Sequence, residues 1–135
     1  MGKHWYEQGR MFNKLNTFYD FNDAVKSVLN MGIGNKDKVF AQGGSAGGLL
    51  MGGIINFEPE LYTGILSGVP FVDVLTTMSD ASIPLTTFEW DEWGNPENKD
   101  EYIYMKQYSP YDNIAALNYP ACLLYTSPSP RDRVQ

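Results

Sequence analysis

Six consecutive residues, Gly43-Gly44-Ser45-Ala46-Gly47-Gly48, place a hydroxyl among glycines between two apolar runs, 38–42 and 49–55. A serine hydroxyl is a weak nucleophile unless the chain presents it to a base and to donors that stabilise the developing oxyanion. The Gly-x-Ser-x-Gly spacing does this when a strand turns sharply into a helix and leaves the serine exposed at the strand end. A side chain at either flanking motif glycine, Gly43 or Gly47, is expected to clash with the strand or the helix. Ser45 is the candidate nucleophile. The Ala46 N–H, at the start of the helix, is a candidate oxyanion donor, favoured by the helix N-terminal dipole. A chain with 13 glycines can produce this pattern by chance, and the strand and helix signals on either side argue against that.

A second group of chemistry-bearing residues is acidic. Six carboxylates (Glu89, Asp91, Glu92, Glu97, Asp100, Glu101) and a single base, Lys99, occupy 89–101, with Trp90 and Trp93 interleaved. One reading is a solvated acidic loop. The other is a recognition loop for a cationic substrate, whose guanidinium a carboxylate can take in a bidentate fork; the tryptophans imply partial burial, and buried carboxylates require partners. His4 is the only histidine. It precedes the serine, whereas triads built on this elbow run serine, acid, histidine, so we read it as a surface or docking residue. One cysteine, Cys122, excludes an internal disulfide and offers no metal-ligand spacing. No cofactor is expected. A net charge of −6 argues against nucleic-acid binding. No apolar run reaches the roughly 18 residues of a membrane span, and the N-terminus lacks a signal-peptide core; we expect a cytoplasmic protein.

The elements that must position these residues follow from periodicity. The 135 residues make at most one domain. In 2–17, Trp5, Tyr6, Met11, Phe12 and Leu15 are expected to dock on a sheet, with Lys3, Arg10 and Lys14 solvated. Phe18, Phe21, Val25, Val28 and Leu29 recur at helical spacing and predict a helix over 17–30, with Thr17 as cap, Asp20 in the first turn, and Gly32 and Gly34 ending it. A strand at 38–42 and a helix over 46–56 flank the elbow; Gly52 and Gly53 are expected to let that helix approach the sheet closely, and Glu58-Pro59 to stop it. Residues 62–69 predict a buried strand. From Pro70 the pattern becomes irregular. A short helix is expected over 100–107, with Tyr102, Met105 and Tyr108 inward, then a turn capped by Ser109 with Pro110 in its first turn, and a strand at 121–124. Alternating strands and helices imply an α/β fold, a parallel sheet with helices on both faces.

Together these residues resemble the catalytic domain of the prolyl oligopeptidase family of serine peptidases, and within it the oligopeptidase B branch. The family's serine signature is matched by Asp20, Ala24, Val28, Gly43, Ser45, Gly47, Gly48, Leu49 and Leu50. Further carriers are 2–7, 16–18, 69–74, 83–87, 92–96 and 108–113, and the resemblance covers about residues 2–124. It implies a truncated, partial α/β-hydrolase fold and peptide-bond hydrolysis after Arg or Lys in short peptides, through an acyl-enzyme on Ser45. It also implies that Glu89 receives the basic side chain, that Asp91 is a second acid nearby, and that Phe71 is an aromatic wall of the pocket. Phe88 departs from the branch, which generally has glycine there. The family's catalytic Asp would fall at Pro130; Asp132 has unmatched surroundings and is not assigned. No histidine follows Ser45. The family's second oxyanion donor, an upstream tyrosine, and its N-terminal β-propeller also lie outside these residues. We expect 2–124 to be the peptidase portion and 125–135 a non-homologous, artefactual tail. We further expect the chain alone to be inactive, and neither nucleic acid nor membrane to be a partner. Alternatives are another α/β-hydrolase, such as an esterase or a peptidase for uncharged residues, and a truncated, non-catalytic binding module.

Overall fold

Three parallel strands end beside the serine turn: β1 (Phe40–Gly44), β2 (Gly64–Gly68) and β3 (Ala121–Tyr125), in the order β1-β2-β3. The computed structural model describes residues 2–126. The register aligns Ala41 with Ile65 and Cys122, and Gly44 with Gly68 and Tyr125. Helix α1 (Lys3–Glu7) and a 3₁₀ turn (Met11–Asn13) lead into α2 (Leu15–Asn30); α3 (Ala46–Phe57) joins β1 to β2. Between β2 and β3 lie α4 (Val74–Ser79), α5 (Thr86–Trp93), α6 (Lys99–Lys106) and a 3₁₀ turn (Tyr111–Asn113). Parallel neighbours need crossovers, and these helices supply them.

Side chains alternate across each strand. Ala41, Ile65 and Ser67 are buried on the face that α3 covers, where Leu49, Met51 and Ile54 complete the core. Phe40, Gln42, Leu66, Leu123 and Tyr125 share the opposite face, which is exposed among the described residues. Phe18 from α2 packs against Phe57 of α3 and Tyr108 after α6, joining the helices to one core. Polar groups inside it are satisfied. Asn22, fully buried, donates to the Ile54 carbonyl (3.4 Å) and to Glu58 (3.4 Å), and accepts the Tyr62 hydroxyl at 2.6 Å. Burial, with the Glu58 charge, pushes the Tyr62 phenol far above its ordinary value, so it stays a donor.

Several elements differ from expectation for identifiable reasons. Helix α2 starts two residues early, and Thr17 does not cap it; its hydroxyl donates to the Gly9 carbonyl instead (3.2 Å), and Asp20 falls beyond the first turn. Its end is as read: Gly32 and Gly34 have φ of +75° and +86°, and the Ile33 N–H reaches back to the Val28 carbonyl (3.2 Å). Gly52 and Gly53 do not serve approach to the sheet. A Cβ on Gly53 would meet the Phe18 ring, and one on Gly52 would meet Pro110, so they admit α2 and the loop after α6. The aromatic N-terminal segment docks on α5 and α6 rather than on a sheet: Phe12 stacks edge-on with Tyr104 at 5.4 Å, and Tyr6 donates to Glu92 at 2.6 Å. Residues 74–79 and 86–93 are helices, not irregular loop. The Asp73 carboxylate caps α4 through the Thr76 N–H (3.2 Å), a side-chain cap that substitutes for periodicity in so short a helix. In α6 it is Tyr104, with Met105 and then Tyr108, that faces inward; Tyr102 is exposed. Ser109 does not cap its turn but donates to Asp112 (2.6 Å) while accepting the Val74 N–H (3.3 Å). Strand β3 runs one residue further than expected, to Tyr125. Of the expected tail, 127–135, including Asp132, lie outside the described residues.

Lys14 is not solvated as expected: it is 6% exposed, and its ammonium pairs with Glu92. A buried cation needs such a partner. Burial works to raise the Glu92 pKa, but the bonds from Lys14 and Tyr6 together outweigh it and hold the carboxyl below its usual range. The depressed value means that this pair stabilises the fold above the unfolded carboxyl's pKa of about 4.3 and that the contribution fades as pH falls through the lower folded value.

Two outcomes follow. In thermal unfolding scans across pH, Glu92→Gln lowers stability near neutrality by about 1–2 kcal/mol, less than for a fully buried pair because the Glu92 side chain is 28% exposed. The same variant flattens the decline in Tm below about pH 4.3; an unchanged acid slope contradicts the assignment. Gly43→Ala, whose Cβ would collide with the Gly47 carbonyl, destabilises by more than about 3 kcal/mol, whereas Gly47→Ala, which meets nothing within 4 Å, is neutral or stabilising by up to about 1 kcal/mol.

Candidate active site

The backbone of β1 reverses into α3 at Ser45, with φ 54° and ψ −117°, a conformation an L-residue adopts only under constraint. The constraint is visible on both sides of the residue. The Ser45 N–H donates to the Gly68 carbonyl at the end of β2 (3.0 Å). Its carbonyl accepts from Gly48 (2.9 Å) and Leu49 (3.2 Å) in the first turn of α3, and from Phe71 (3.0 Å) in the segment after β2. Two glycines make the approach possible. Gly43 lies under the Gly47 carbonyl, and Gly48 lies against Pro70, where a Cβ would overlap the ring. The second sterically required glycine is therefore Gly48, not Gly47, whose Cβ position is open because it points away from both strand and helix. The result is an exposed Ser45 side chain. Beside it the Ala46 N–H, at the first position of α3, has no intrahelical acceptor.

The segment that clamps Ser45 also begins the wall of a cleft. This cleft has a volume of about 670 Å³ and is lined by Ser45, Ala46, Phe71, Glu89, Asp91 and, beyond these five, by Tyr6 of α1 and by residues of α4, α5 and the loop between them. The structure thus brings every sequence-predicted site residue to one cavity. It does not bring His4, which is exposed on α1 and is not part of the lining. Among the described residues no cluster of His, Cys, Asp and Glu is arranged to hold a metal ion.

The acidic stretch reaches this cleft as a helix rather than a loop. Leu85, at φ +74°, turns the chain into α5, whose residues 89, 92 and 93 then share one side at i, i+3 and i+4. This sorts the three carboxylates. Glu92 is taken by Lys14 and Tyr6. Its charge in turn raises the Tyr6 phenol pKa, chiefly through their hydrogen bond. Glu89 accepts a bond from the Trp93 indole N–H at 2.6 Å and has no ion pair among the described residues; Asp91 is exposed and likewise has none. Two negative charges without a cation partner in a concave site create a field favouring a positively charged ligand. Phe71 meets the Trp93 ring edge-on at 5.4 Å and supplies an apolar wall; Phe88, 81% exposed, stands at the rim.

Sequence reasoning missed Lys14, Tyr6, Glu92 and Trp93 as parts of this construction. Interleaved tryptophans signalled partial burial, but the pairing of Glu89 with Trp93 can be seen only once 86–93 is known to be helical. The link from Lys14 to Glu92 spans 78 residues and has no local signature.

Comparison with known proteins bears on this arrangement. Residues 1–129 match the model of the prolyl oligopeptidase family. The chain is similar to dipeptidyl aminopeptidase BI of Pseudoxanthomonas mexicana, 56% identical over 126 residues that cover 93% of this chain and 17% of that protein. It is also similar to the solved oligopeptidase B of Leishmania major (49% identity, TM-score 0.87, covering 91% of this chain and 17% of that one). The oligopeptidase B of Trypanosoma brucei, solved with covalently bound antipain in a closed form, is 47% identical at a TM-score of 0.88, over 92% of this chain and 18% of that one. The chain therefore spans less than a fifth of the length of these relatives, and its strands and helices are those of their α/β-hydrolase catalytic domain. With its family model covering nearly the whole sequence and its elbow serine at the head of the cleft, this chain belongs to the prolyl oligopeptidase family of serine peptidases.

Proposed function

We propose that these residues are the nucleophile-bearing portion of a peptidase that cleaves short peptides after Arg or Lys. The observation that carries this is the single cleft shared by Ser45, Ala46, Phe71, Glu89 and Asp91. The relatives, a dipeptidyl aminopeptidase and oligopeptidases B, one of them solved with covalently bound antipain, support the same chemistry.

The basic side chain of the residue before the scissile bond enters along Phe71, its aliphatic stem on the ring, and its cationic head meets Glu89, with Asp91 adding to the attraction. This sets the carbonyl carbon against Ser45 Oγ. A histidine takes the hydroxyl proton as Oγ bonds to the carbon, and an aspartate orients the imidazole. The histidine is supplied from outside the 135 residues, none of which after Ser45 is a histidine, and so is the aspartate, whose place in the family's order falls on Pro130. The tetrahedral oxyanion accepts the Ala46 N–H. Collapse breaks the C–N bond, the amine leaves with the proton returned by the histidine, and water then hydrolyses the Ser45 ester by the same route in reverse. The single cysteine suits a reducing compartment, and we place the enzyme in the cytoplasm; no described helix is long and apolar enough to cross a membrane.

In the complete enzyme, Ser45→Ala is expected to lower kcat by at least about a thousand-fold and to abolish labelling by a serine-reactive phosphonate, read by mass spectrometry. Glu89→Gln should lower kcat/KM for Arg and Lys substrates by about 30-fold or more while sparing substrates with neutral residues. Retained preference for Arg over a neutral residue would remove the basic-pocket assignment. The 135-residue chain alone should show only background turnover; Ser45-dependent cleavage by it would contradict the need for an external base.

A further inference from the structure

Glu89 lies on the exposed side of α5 and carries a flexible side chain, so something must hold its carboxylate if it is to select a cation rather than merely attract one. The group that does so is a neighbour one turn along. The Trp93 indole N–H donates to Glu89 Oε2 at 2.6 Å, and Oε1 makes no hydrogen bond with the described residues. Trp93 is itself fixed from several directions. Its ring is met edge-on by Phe71 at 5.4 Å, and the Lys14 ammonium lies 4.5 Å from the ring centroid. The Tyr108 hydroxyl donates to its carbonyl (3.2 Å), and the residue is 8% exposed. Lys14 is held over the ring by Glu92, which Tyr6 also binds. Phe71 in turn gives its N–H to the Ser45 carbonyl (3.0 Å). Glu89 is thus tied through one rigid indole to the same segment that fixes the nucleophile's backbone.

We propose that Trp93 is a positioning residue for substrate selection, fixing the Glu89 carboxylate through its indole N–H. Trp93 does not touch the substrate's charge; it acts through Glu89. The bond confines one carboxylate oxygen and leaves the other for the ligand, which reduces the ordering required when a guanidinium or ammonium binds. A buried tryptophan that served packing alone would need its ring but not its N–H. Lys14 is placed to hold the indole plane, and by occupying Glu92 it leaves Glu89 and Asp91 as the carboxylates open to a ligand.

The inference rests on the assignment of Glu89 proposed above, and the test separates the two. In the complete enzyme, steady-state kinetics are measured on a matched pair of peptides differing only in Arg or a neutral residue before the scissile bond. The proteins are wild type, Trp93→Phe, Glu89→Gln and the double variant. Trp93→Phe keeps an aromatic ring and removes the N–H; should it fail to fold, a benzothienylalanine at 93 preserves the full indole shape without the donor. The expected result is a rise of about tenfold in KM for the Arg peptide with little change in kcat, a clearly smaller effect on the neutral peptide, and no further loss of Arg preference in the Glu89→Gln background. An equal loss on both peptides, or a loss of Arg preference that persists in the Glu89→Gln background, overturns the proposal while leaving Glu89 in place. Wild-type selectivity in Trp93→Phe alongside lost selectivity in Glu89→Gln overturns it likewise. Unchanged selectivity in Glu89→Gln overturns the assignment of Glu89 and this proposal with it.

Discussion

The strained backbone of Ser45 is the constraint from which the rest of the structure follows. A φ of +54° in a non-glycine residue persists only if its surroundings over-determine it, at a cost of order 1–3 kcal/mol. Here the peptide N–H is held by the end of β2, and the carbonyl by the first turn of α3 and by Phe71. The elbow therefore cannot form without the β1-β2 pairing in register, since Gly44 must lie beside Gly68 for the Ser45 N–H to reach its carbonyl. That pairing requires a crossover, and α3 provides it with Gly48 against Pro70 and Gly53 against Phe18. Gly43, Gly48 and Gly53 are places where one backbone meets another element, and they let the strained residue be enclosed.

The same segment that closes the elbow opens the recognition wall. From Pro70 the chain leaves the carboxyl end of β2, where ligands of open parallel sheets bind, and Phe71 contributes its N–H to the nucleophile and its ring to the cleft. Geometry at the reacting hydroxyl and geometry at the selecting carboxylate are thereby mechanically continuous. Charge is arranged by subtraction. Helix α5 carries Glu89, Asp91 and Glu92, and the buried Lys14 removes one of them from the field of the cleft. A lysine so deeply enclosed is costly unless paired, so this ion pair both anchors the N-terminal segment and decides which acids remain open.

Much of this was legible in the sequence where the signals are local. The elbow, the strands on either side of it, the helix around Phe18 to Leu29 and its glycine stop were readable because period, glycine and proline act over a few residues. Residues 70–93 were not: α4 and α5 are short, α4 depends on an Asp73 cap and α5 on a left-handed Leu85, the apolar face of α4 (Val74, Leu75, Met78) spans barely more than one turn, and α5 buries only Thr86 and Trp93. Tyr102 and Tyr104 exchange roles in α6 because both lie near the apolar side by spacing, and only the position of the N-terminal turn, where Phe12 and Leu15 meet Tyr104, selects between them.

Local sequence specifies that a serine is presented at a strand-to-helix turn, that the fold is α/β with parallel strands, and, through a long signature spread over 20–50, which peptidase family the chain belongs to. Those properties are written in residues close together, where steric and periodic rules decide. It is packing between distant segments that makes Ser45, Phe71, Glu89 and Asp91 border one cleft, pairs Glu92 with Lys14, and fixes the Trp93 ring that donates to Glu89. Those contacts join segments up to 78 residues apart, and their existence depends on how helices stack on the sheet, a packing outcome that no local spacing encodes.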